Sequence, residues 1–419
     1  MFHLTKLDEE LAASGGSRDP LGLQPVWSYF GRKLVPSLTT VSTRSQHFSR
    51  LLLALSCRDT WLAQRPGTEL SGVEALLVFE ELHAYSLRAE MDDIGETPGK
   101  RRVEVNWREL RGDPEIGHWP EQQILRNQAG VGISGRYFTP LVRMGIVDKE
   151  GCLAGDVRVE QLFGVEVNRL QRAVRTVLEA IEESQRPVAF SSVPKTARRL
   201  MARLLPHEGH VADAEVSFWK QRIGIDGERA PLVRRAAAYL RQTPKDVEQV
   251  PRAVVNALLD SELSATLRGI VADICACEAY IAPLQKLFDQ LYLAGSLSRF
   301  DATEVTRAWR DQLRQAQPSF ARLRVEGEQL GRRFRSLVEI EASGSSGALA
   351  RSLLRHHTLV SEGRGGTPWL AIESSKVHAL NSAYEPWAWS SMDEAAWVNG
   401  YYVPSLRSVL DGLDQRQAQ

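Results

Sequence analysis

The sequence predicts a mainly α-helical, multi-domain protein that contains a winged-helix-like module and a long antiparallel helical hairpin. Two stretches, residues 263–291 and 309–337, repeat hydrophobic residues at steps of four and three, the spacing of a helical seam that faces a partner helix. Residues 134–153 show a helical pattern, a glycine and then a strand–turn–strand pattern, as in the second half of a winged helix. At 419 residues the chain also exceeds one ordinary hydrophobic core, so two or three domains are expected.

The composition is that of a globular protein without a dominant charge. Hydrophobic residues make up 43% of the chain, charged residues make up 25%, and the formal net charge is +0. Binding to nucleic acid would therefore require a local basic patch, because no global field attracts a polyanion. Of the 52 basic residues nine are lysines and 43 are arginines, a bias typical of a GC-rich bacterial coding sequence.

The N-terminal residues, the apolar runs and the cysteines together predict a bacterial cytoplasmic protein. Residues 1–6 lead into the acidic residues 8–10 rather than into an apolar signal core. The longest apolar run, residues 51–55, is too short to cross a bilayer, so no membrane association is expected. Four cysteines do not make a disulfide framework for a chain of this length, and Cys275 and Cys277 lack zinc-knuckle spacing. No motif predicts a cofactor or a bound metal.

Residues 1–165 are predicted to form an N-terminal helical region that includes the winged-helix-like module. Ser71 and Glu74 have the spacing of a capping box at the start of a helix. Gly145 would end a helix that begins either near Ser134 or at Pro140, and residues 146–147 and 152–153 would pair around a tight turn. Polar residues on or before this helix and on the wing are candidates for nucleic-acid contact, namely Arg136, Arg143 and Lys149, with Ser134 and Thr139. Winged helices also serve as dimerisation and docking modules, which is the competing interpretation.

Residues 166–342 are predicted to form a helical domain that opens with a basic helix after Pro194. This helix carries four basic residues and no acidic one, namely Lys195, Arg198, Arg199 and Arg203. Steps of three and four place them on one broad face, which could grip a nucleic-acid backbone. A solvated face in an arginine-rich protein is the alternative.

Two hydrophobic ladders predict the helical hairpin. The first ladder comprises Leu263, Leu267, Ile270, Ile274, Cys277, Ile281, Leu284, Phe288 and Leu291. The second comprises Trp309, Leu313, Ala316, Phe320, Leu323, Gly327, Leu330, Phe334 and Leu337. The segment between them, residues 295–303, is rich in turn and N-cap residues, so the two arms should run antiparallel. Pro283 and Pro318 predict that each arm is kinked or built from two helices.

The charges of the two arms are opposite. The second arm is rich in arginine, whereas the first carries Glu262, Asp273, Glu278 and Asp289. Opposite charges on paired helices predict ion pairs that flank the seam. We therefore interpret these arginines as structural rather than as a nucleic-acid surface.

Residues 343–347 are predicted to be a linker to an aromatic-rich C-terminal region, residues 348–419. A hairpin is expected near residues 359–373. His356 and His357 are adjacent and point about 100° apart on a helix, so they do not have metal-ligand spacing. Glu373 and Lys376 follow a predicted strand, but they lie one residue too far apart for the Glu-x-Lys pattern of many nucleases.

Three segments, residues 34–57, 135–147 and 365–370, resemble uncharacterised helical proteins encoded in bacterial anti-phage defence or mobile-element gene clusters. The resemblance implies a subunit that works beside an ATPase or a nuclease encoded nearby. It supplies no catalytic residues.

These observations lead to three hypotheses for the function. The first is a non-catalytic adaptor of a bacterial antiviral-defence or DNA-maintenance complex, which binds a partner protein through the hairpin and DNA or RNA through the first two-thirds of the chain. The second is a metal-dependent nuclease that uses the C-terminal region, including Glu373. The third is a winged-helix transcription regulator.

Overall fold

The computed structural model describes residues 19–91, 94–148, 150–205, 213–244, 249–297, 302–373, 376–380, 384, 386 and 397–418. Over these residues α-helices dominate, and the β structure consists of two small two-stranded sheets. The prediction of a mainly α-helical protein is therefore confirmed. No helix among the described residues is long and apolar enough to span a membrane.

The regular elements follow in chain order. They are α1 (Gln24–Leu34), α2 (Ser45–Gln64), α3 (Gly72–Glu90), α4 (Lys100–Glu109), β1 (Glu115–Ile116), α5 (Gln128–Val131), α6 (Ile133–Arg143), α7 (Val159–Phe163), α8 (Glu166–Ser184), β2 (Val188–Ala189), α9 (Lys195–Leu204), α10 (Asp213–Ile223), α11 (Pro231–Gln242), α12 (Val250–Asp260), α13 (Ala265–Leu297), α14 (Ala302–Ala321), α15 (Glu328–Val338), α16 (Ser346–Glu362), β3 (Leu370–Glu373), β4 (Lys376–Ala379) and α17 (Val403–Ala418). A single 3₁₀ turn, Phe190–Ser192, precedes α9.

The described chain divides into two units. The first contains residues 37–231 and 405–418, and the second contains residues 19–36 and 232–404. The three predicted ranges 1–165, 166–342 and 348–419 stay a prediction, and the two units divide the chain at other places. Each unit joins segments that are far apart in sequence, and such long-range packing leaves no mark in local composition.

Helices α2 and α3 form the core of the first unit. Helix α2 packs against α3, α6 and α8, and α3 packs against α9. Both helices are buried on nearly every side, which is the behaviour of a central helix rather than a surface one. The predicted capping box is present, because the Ser71 side chain accepts the Glu74 N–H and the Glu74 carboxylate accepts the Ser71 N–H.

The region of the predicted winged helix contains one clear helix and very little β structure. Helix α6 begins at Ile133 and has Pro140 inside it, so residues 134–139 are helical rather than a leading turn. After Gly145, at φ +68°, Val147 and Leu153 form a single isolated bridge. Helix α5, which precedes α6, is only one turn long. A winged-helix fold for this region stays a prediction.

In the second unit, the long helix α13 packs against α14. The Tyr280 ring stacks on Phe320 at 4.6 Å between centroids, and Trp309 Nε1 donates to Gln290 Oε1 at 2.7 Å. Residues later in α13 thus meet residues earlier in α14, and the first ladder is buried from Ile274 onward. Leu267 is only half-buried, so its predicted burial is wrong.

The second ladder does not lie on a single helix. Helix α14 ends at Ala321, and α15 starts after Gly327, which is exposed and has φ +90°. A left-handed backbone at a helix start interrupts the seam, although the 4–3 spacing continues through it. Residues 298–301, including Arg299 at the predicted tip, lie outside the described residues. The role of this hairpin in binding a partner stays a prediction.

The C-terminal hairpin lies later in the chain than predicted. Helix α16 continues to Glu362, and the antiparallel pair is β3 with β4, in a register that sets Glu373 opposite Lys376. The predicted linker is the start of α16, because the Ser345 side chain accepts the Ala348 N–H as an N-cap. Serine favours both linkers and caps, so composition alone did not separate the two.

Candidate nucleic-acid interface

Helix α9 presents the four predicted basic residues on the surface of the first unit. Its apolar residues Ala197, Leu200 and Met201 are buried, and the helix packs against α3 and α8. On its outer side the Arg199 and Arg203 side chains are 73% and 61% exposed, and Lys195 is also exposed. We define the α9 basic surface as Lys195, Arg198, Arg199 and Arg203. Of these, Lys195, Arg199 and Arg203 are accessible to a large ligand, whereas Arg198 is half-buried.

Tertiary neighbours supply the acidic partners that the helix itself lacks. Arg199 Nε lies 3.9 Å from Glu90 Oε2 at the end of α3, and Arg203 pairs with Glu166 at the start of α8. Arg198 instead places its guanidinium 5.0 Å from the centre of the Phe190 ring. Glu90 and Glu166 are far from α9 in sequence, so reading α9 alone could not find them.

These ion pairs are weak enough to be exchanged. Exposed ion pairs contribute about 0–1 kcal/mol, since water screens both charges and the long side chains lose freedom when they pair. A backbone phosphate offers arginine the same two-oxygen geometry as a carboxylate and the same single negative charge. Glu90 and Glu166 therefore position Arg199 and Arg203, but both arginines can leave these carboxylates to bind a phosphate.

The candidates from the winged-helix region are placed elsewhere in the first unit. Arg136 is exposed on α6. Arg143 is half-buried, and its Nη1 donates to the Leu38 carbonyl at 3.2 Å, so this side chain is used in packing. Lys149 lies outside the described residues. The structure therefore leaves Arg136 as the accessible member of this group among the described residues.

The predicted charge pairs across the α13–α14 seam are not formed by Glu278 of the first arm or by Arg314, one of the arginines of the second arm. The Glu278 carboxylate is buried and accepts the backbone N–H groups of Val398 and Asn399 and the hydroxyl of Tyr401. Arg314 Nη2 lies 3.1 Å from an oxygen of Asp311, which is on its own helix. Glu278 is drawn inward because its oxygens satisfy backbone groups that would otherwise be unpaired.

Sequence reasoning missed a buried polar cluster in the core of the first unit, formed by Arg50, Glu80 and His83. Glu80 Oε1 accepts the Ile133 N–H at 2.7 Å, at the first residue of α6. Glu80 Oε2 has no hydrogen-bond partner among the described residues. Between these side chains there is room for about one water molecule. The sequence feature that could have revealed this cluster is the presence of charged residues within α2 and α3, two helices that are otherwise apolar.

Burial shifts the pKa values of this cluster in opposite directions. It raises the pKa of Glu80 to about 7, against the opposing effects of the Ile133 N–H, Gln128 and Arg50. It also lowers the pKa of His83 well below its usual value, and the charge of Arg50 acts in the same direction. His83 Nε2 donates to the Leu205 carbonyl at 3.1 Å, which suits a neutral ring. The cluster fixes α6 and the end of α9 to α3.

The C-terminal candidates for catalysis are not gathered into a site. Glu373 is exposed at the end of β3, opposite Lys376. His357 accepts the Trp369 N–H and donates to the Pro20 carbonyl, and His356 donates to the Leu21 carbonyl. Over the part of the chain that is described, no three His, Cys, Asp or Glu side chains are arranged to hold a metal ion.

Comparison of the chain with models of known protein families, with curated proteins and with solved structures finds no match. The geometry and charge of the α9 basic surface therefore carry the functional argument.

Proposed function

We propose that this protein is a non-catalytic nucleic-acid-binding subunit, an adaptor in a bacterial defence or DNA-maintenance complex. The observation that carries the proposal is the α9 basic surface, where exposed cations stand on a helix whose opposite face is buried in the core. Such a helix is rigid and cannot turn its charges away from a ligand. The resemblance of three sequence segments to defence-cluster proteins supports the biological setting.

Binding would occur through the phosphate backbone. Arg199 and Arg203 exchange Glu90 and Glu166 for phosphate oxygens, and Lys195 adds a contact at the start of the helix. Each phosphate neutralised releases condensed counterions, so the affinity falls steeply with salt concentration. Contacts to phosphate position the protein but read no sequence, hence unrelated sequences should bind about equally well.

The second unit would recruit the partner protein. An ATPase or a nuclease encoded nearby would supply the catalytic step, and the α13–α14 pair is the docking element we favour. In this proposal the partner supplies the catalytic step, and among the described residues Glu373 does not belong to a group of three or more potential metal ligands.

The test is the salt dependence of DNA binding by a variant with Lys195→Ala, Arg199→Ala and Arg203→Ala. Arg198 is left in place because its contact with Phe190 contributes to packing. The slope of log K against log salt should fall by about 2.7 for duplex DNA, at about 0.9 for each phosphate that the variant no longer neutralises. The measurement is fluorescence anisotropy with two unrelated labelled duplexes.

The matched control replaces Arg307, Arg314 and Arg332 by Ala. These arginines are exposed in the second unit, and replacing them removes the same amount of charge. The control should leave the slope unchanged. An unchanged slope in the α9 variant, or an equal fall of the slope in the control, would show that α9 is not part of the nucleic-acid interface. Metal-dependent cleavage of the DNA that is lost in Glu373→Ala would instead favour the nuclease hypothesis.

A further inference from the structure

The first unit contains an open cleft of about 590 Å³, and none of the four residues of the α9 basic surface lines it. One wall is formed by Arg158, Gln161 and Leu162, around the start of α7. The other is formed by the last turns of α10 and the loop that follows, with Phe218 and Arg229 among the lining residues. A volume of this size lies within the usual range of small-molecule sites, roughly 300–1,000 Å³.

The loop that closes the cleft is held in a fixed conformation. The N–H groups of Ile225 and Asp226 donate to the Lys220 carbonyl at 2.8 and 3.2 Å, which ties the loop to the end of α10. Gly224 has φ +92°, and a Cβ added there would lie 2.5 Å from the Cβ of Ala230. The side chains that follow are therefore presented by a closely packed turn.

One ion pair organises the middle of the cleft. Arg222 Nη2 lies 2.6 Å from Asp156 Oδ2, and its guanidinium stands 5.3 Å from the centre of the Phe218 ring. The hydrogen bond from Arg222 lowers the pKa of Asp156. Asp156 therefore stays ionised and is paired with Arg222, which offsets its repulsion of an incoming anion.

The remaining lining groups offer four kinds of recognition. Arg158 and Arg229 are exposed guanidiniums, which fit the oxygens of a phosphate. The half-buried Phe218 ring and Leu162 provide an apolar wall for a flat ring. The amides of Gln161 and Gln221 both donate and accept hydrogen bonds. Exposed Asp226 and Glu228 accept hydrogen bonds from hydroxyl or amino groups.

We propose that this cleft binds a nucleoside phosphate. Arg158 and Arg229 recognise the phosphate, the base lies against Phe218 and Leu162, and the carboxylates of Asp226 and Glu228 accept hydrogen bonds from the sugar hydroxyls. A plain anion would use only the arginines and would meet two opposing carboxylates. A nucleotide satisfies the guanidiniums, the apolar wall and the carboxylates at once. The ligand is either a free nucleotide or the phosphorylated end of a nucleic-acid strand.

The experiment is isothermal titration calorimetry of the full chain with AMP and CMP, beside inorganic phosphate and adenosine as the two halves of the ligand. At least one nucleotide should bind saturably and more than tenfold tighter than either half. The variant Arg158→Gln with Arg229→Gln should weaken nucleotide binding tenfold or more. Phe218→Leu should weaken nucleotide binding but leave any binding of phosphate unchanged.

A second titration separates the two sources of the ligand. A single-stranded oligonucleotide with a 5′-phosphate that binds tenfold tighter than its 5′-hydroxyl form, and loses this advantage in Arg158→Gln with Arg229→Gln, identifies a strand end. A response to mononucleotides alone identifies a small-molecule site. The control is Arg307→Gln with Arg314→Gln, which makes the same charge change in the second unit.

Two results would overturn the proposal. One is the absence of saturable binding by both nucleotides and by the phosphorylated oligonucleotide. The other is equal affinity in wild type and in the Arg158→Gln, Arg229→Gln variant, provided that thermal unfolding shows both to be folded. Neither result depends on α9, because the cleft variants keep the α9 basic surface intact.

Discussion

At the scale of single residues, two carboxyl groups buried in the core of the first unit accept hydrogen bonds from backbone N–H groups. Glu80 accepts the first N–H of α6, and the buried Glu81 accepts the Gly117 N–H at 3.1 Å. Burial raises the pKa of both groups, since a charged carboxylate loses its hydration. They act as side-chain anchors for segments that would otherwise end with unpaired N–H groups.

Glu80→Gln tests this account through the pH dependence of stability. The folded pKa of about 7 lies above the ordinary glutamate value of 4.5, so the stabilising contribution of Glu80 is complete below pH 4.5 and is lost as the pH rises through 7. Glutamine keeps an oxygen for the Ile133 N–H but cannot ionise. Relative to wild type, the variant should therefore gain roughly 2–4 kcal/mol between pH 4.5 and pH 8.5. Urea unfolding at both pH values measures the change.

The measurement compares how the free energy of unfolding of wild type and variant changes with pH. A cost of the substitution that is the same at every pH therefore does not affect the result. Wild-type and variant stabilities that run parallel with pH would show that Glu80 is not the titrating group.

At the scale of elements, the sequence correctly predicted features that depend only on residues close together in the chain. The capping box at Ser71 and Glu74 needs only residues three apart, and it is present as predicted. The buried part of the first ladder, from Ile274 to Leu291, follows from helical periodicity. The sequence did not reveal contacts whose partners lie far away along the chain. Glu278 turns inward and binds residues 398–401, and Arg199 lies near Glu90. No window of sequence contains both members of such a pair.

The same contrast gives a prediction for α13. Ile274 is fully buried, whereas Leu267 is half-buried near the start of the helix. Ile274→Ala should therefore cost roughly 2–5 kcal/mol, as is usual for a core truncation, and Leu267→Ala should cost clearly less. Denaturant unfolding of the two variants, followed by helical circular dichroism, gives the comparison. Equal costs would mean that the seam extends through the first turns of α13, as the ladder alone implied.

At the scale of the whole molecule, the formal net charge is zero at pH 7, so little net self-repulsion acts there, and the groups whose pKa values are shifted by folding contribute to the response to mild acid. Four of the described histidines have lowered pKa values because of burial, His47 and His83 in the first unit and His356 and His357 in the second. The sequence showed the adjacent pair but not its surroundings. Those surroundings come from Pro20, Leu21 and Trp369, which lie up to 337 residues away along the chain.

Protonation of these buried histidines should therefore destabilise the protein in a way that salt screens poorly. A lowered folded pKa means that stability is complete above the usual histidine value of 6.5 and is lost as the pH falls below it. Once protonated, His357 could no longer accept the Trp369 N–H. Because Glu80 has the opposite pH dependence, the prediction is a difference between two proteins: between pH 7.5 and pH 5.5 the unfolding midpoint of wild type should fall relative to that of His357→Gln. This difference should persist in about 0.5 M salt, because buried charges are poorly screened. His357→Gln keeps a donor and an acceptor but does not titrate, so its midpoint should fall less over the same range. A difference that disappears in salt, or a pH dependence that is as steep in His357→Gln as in wild type, would assign the acid response to other groups instead.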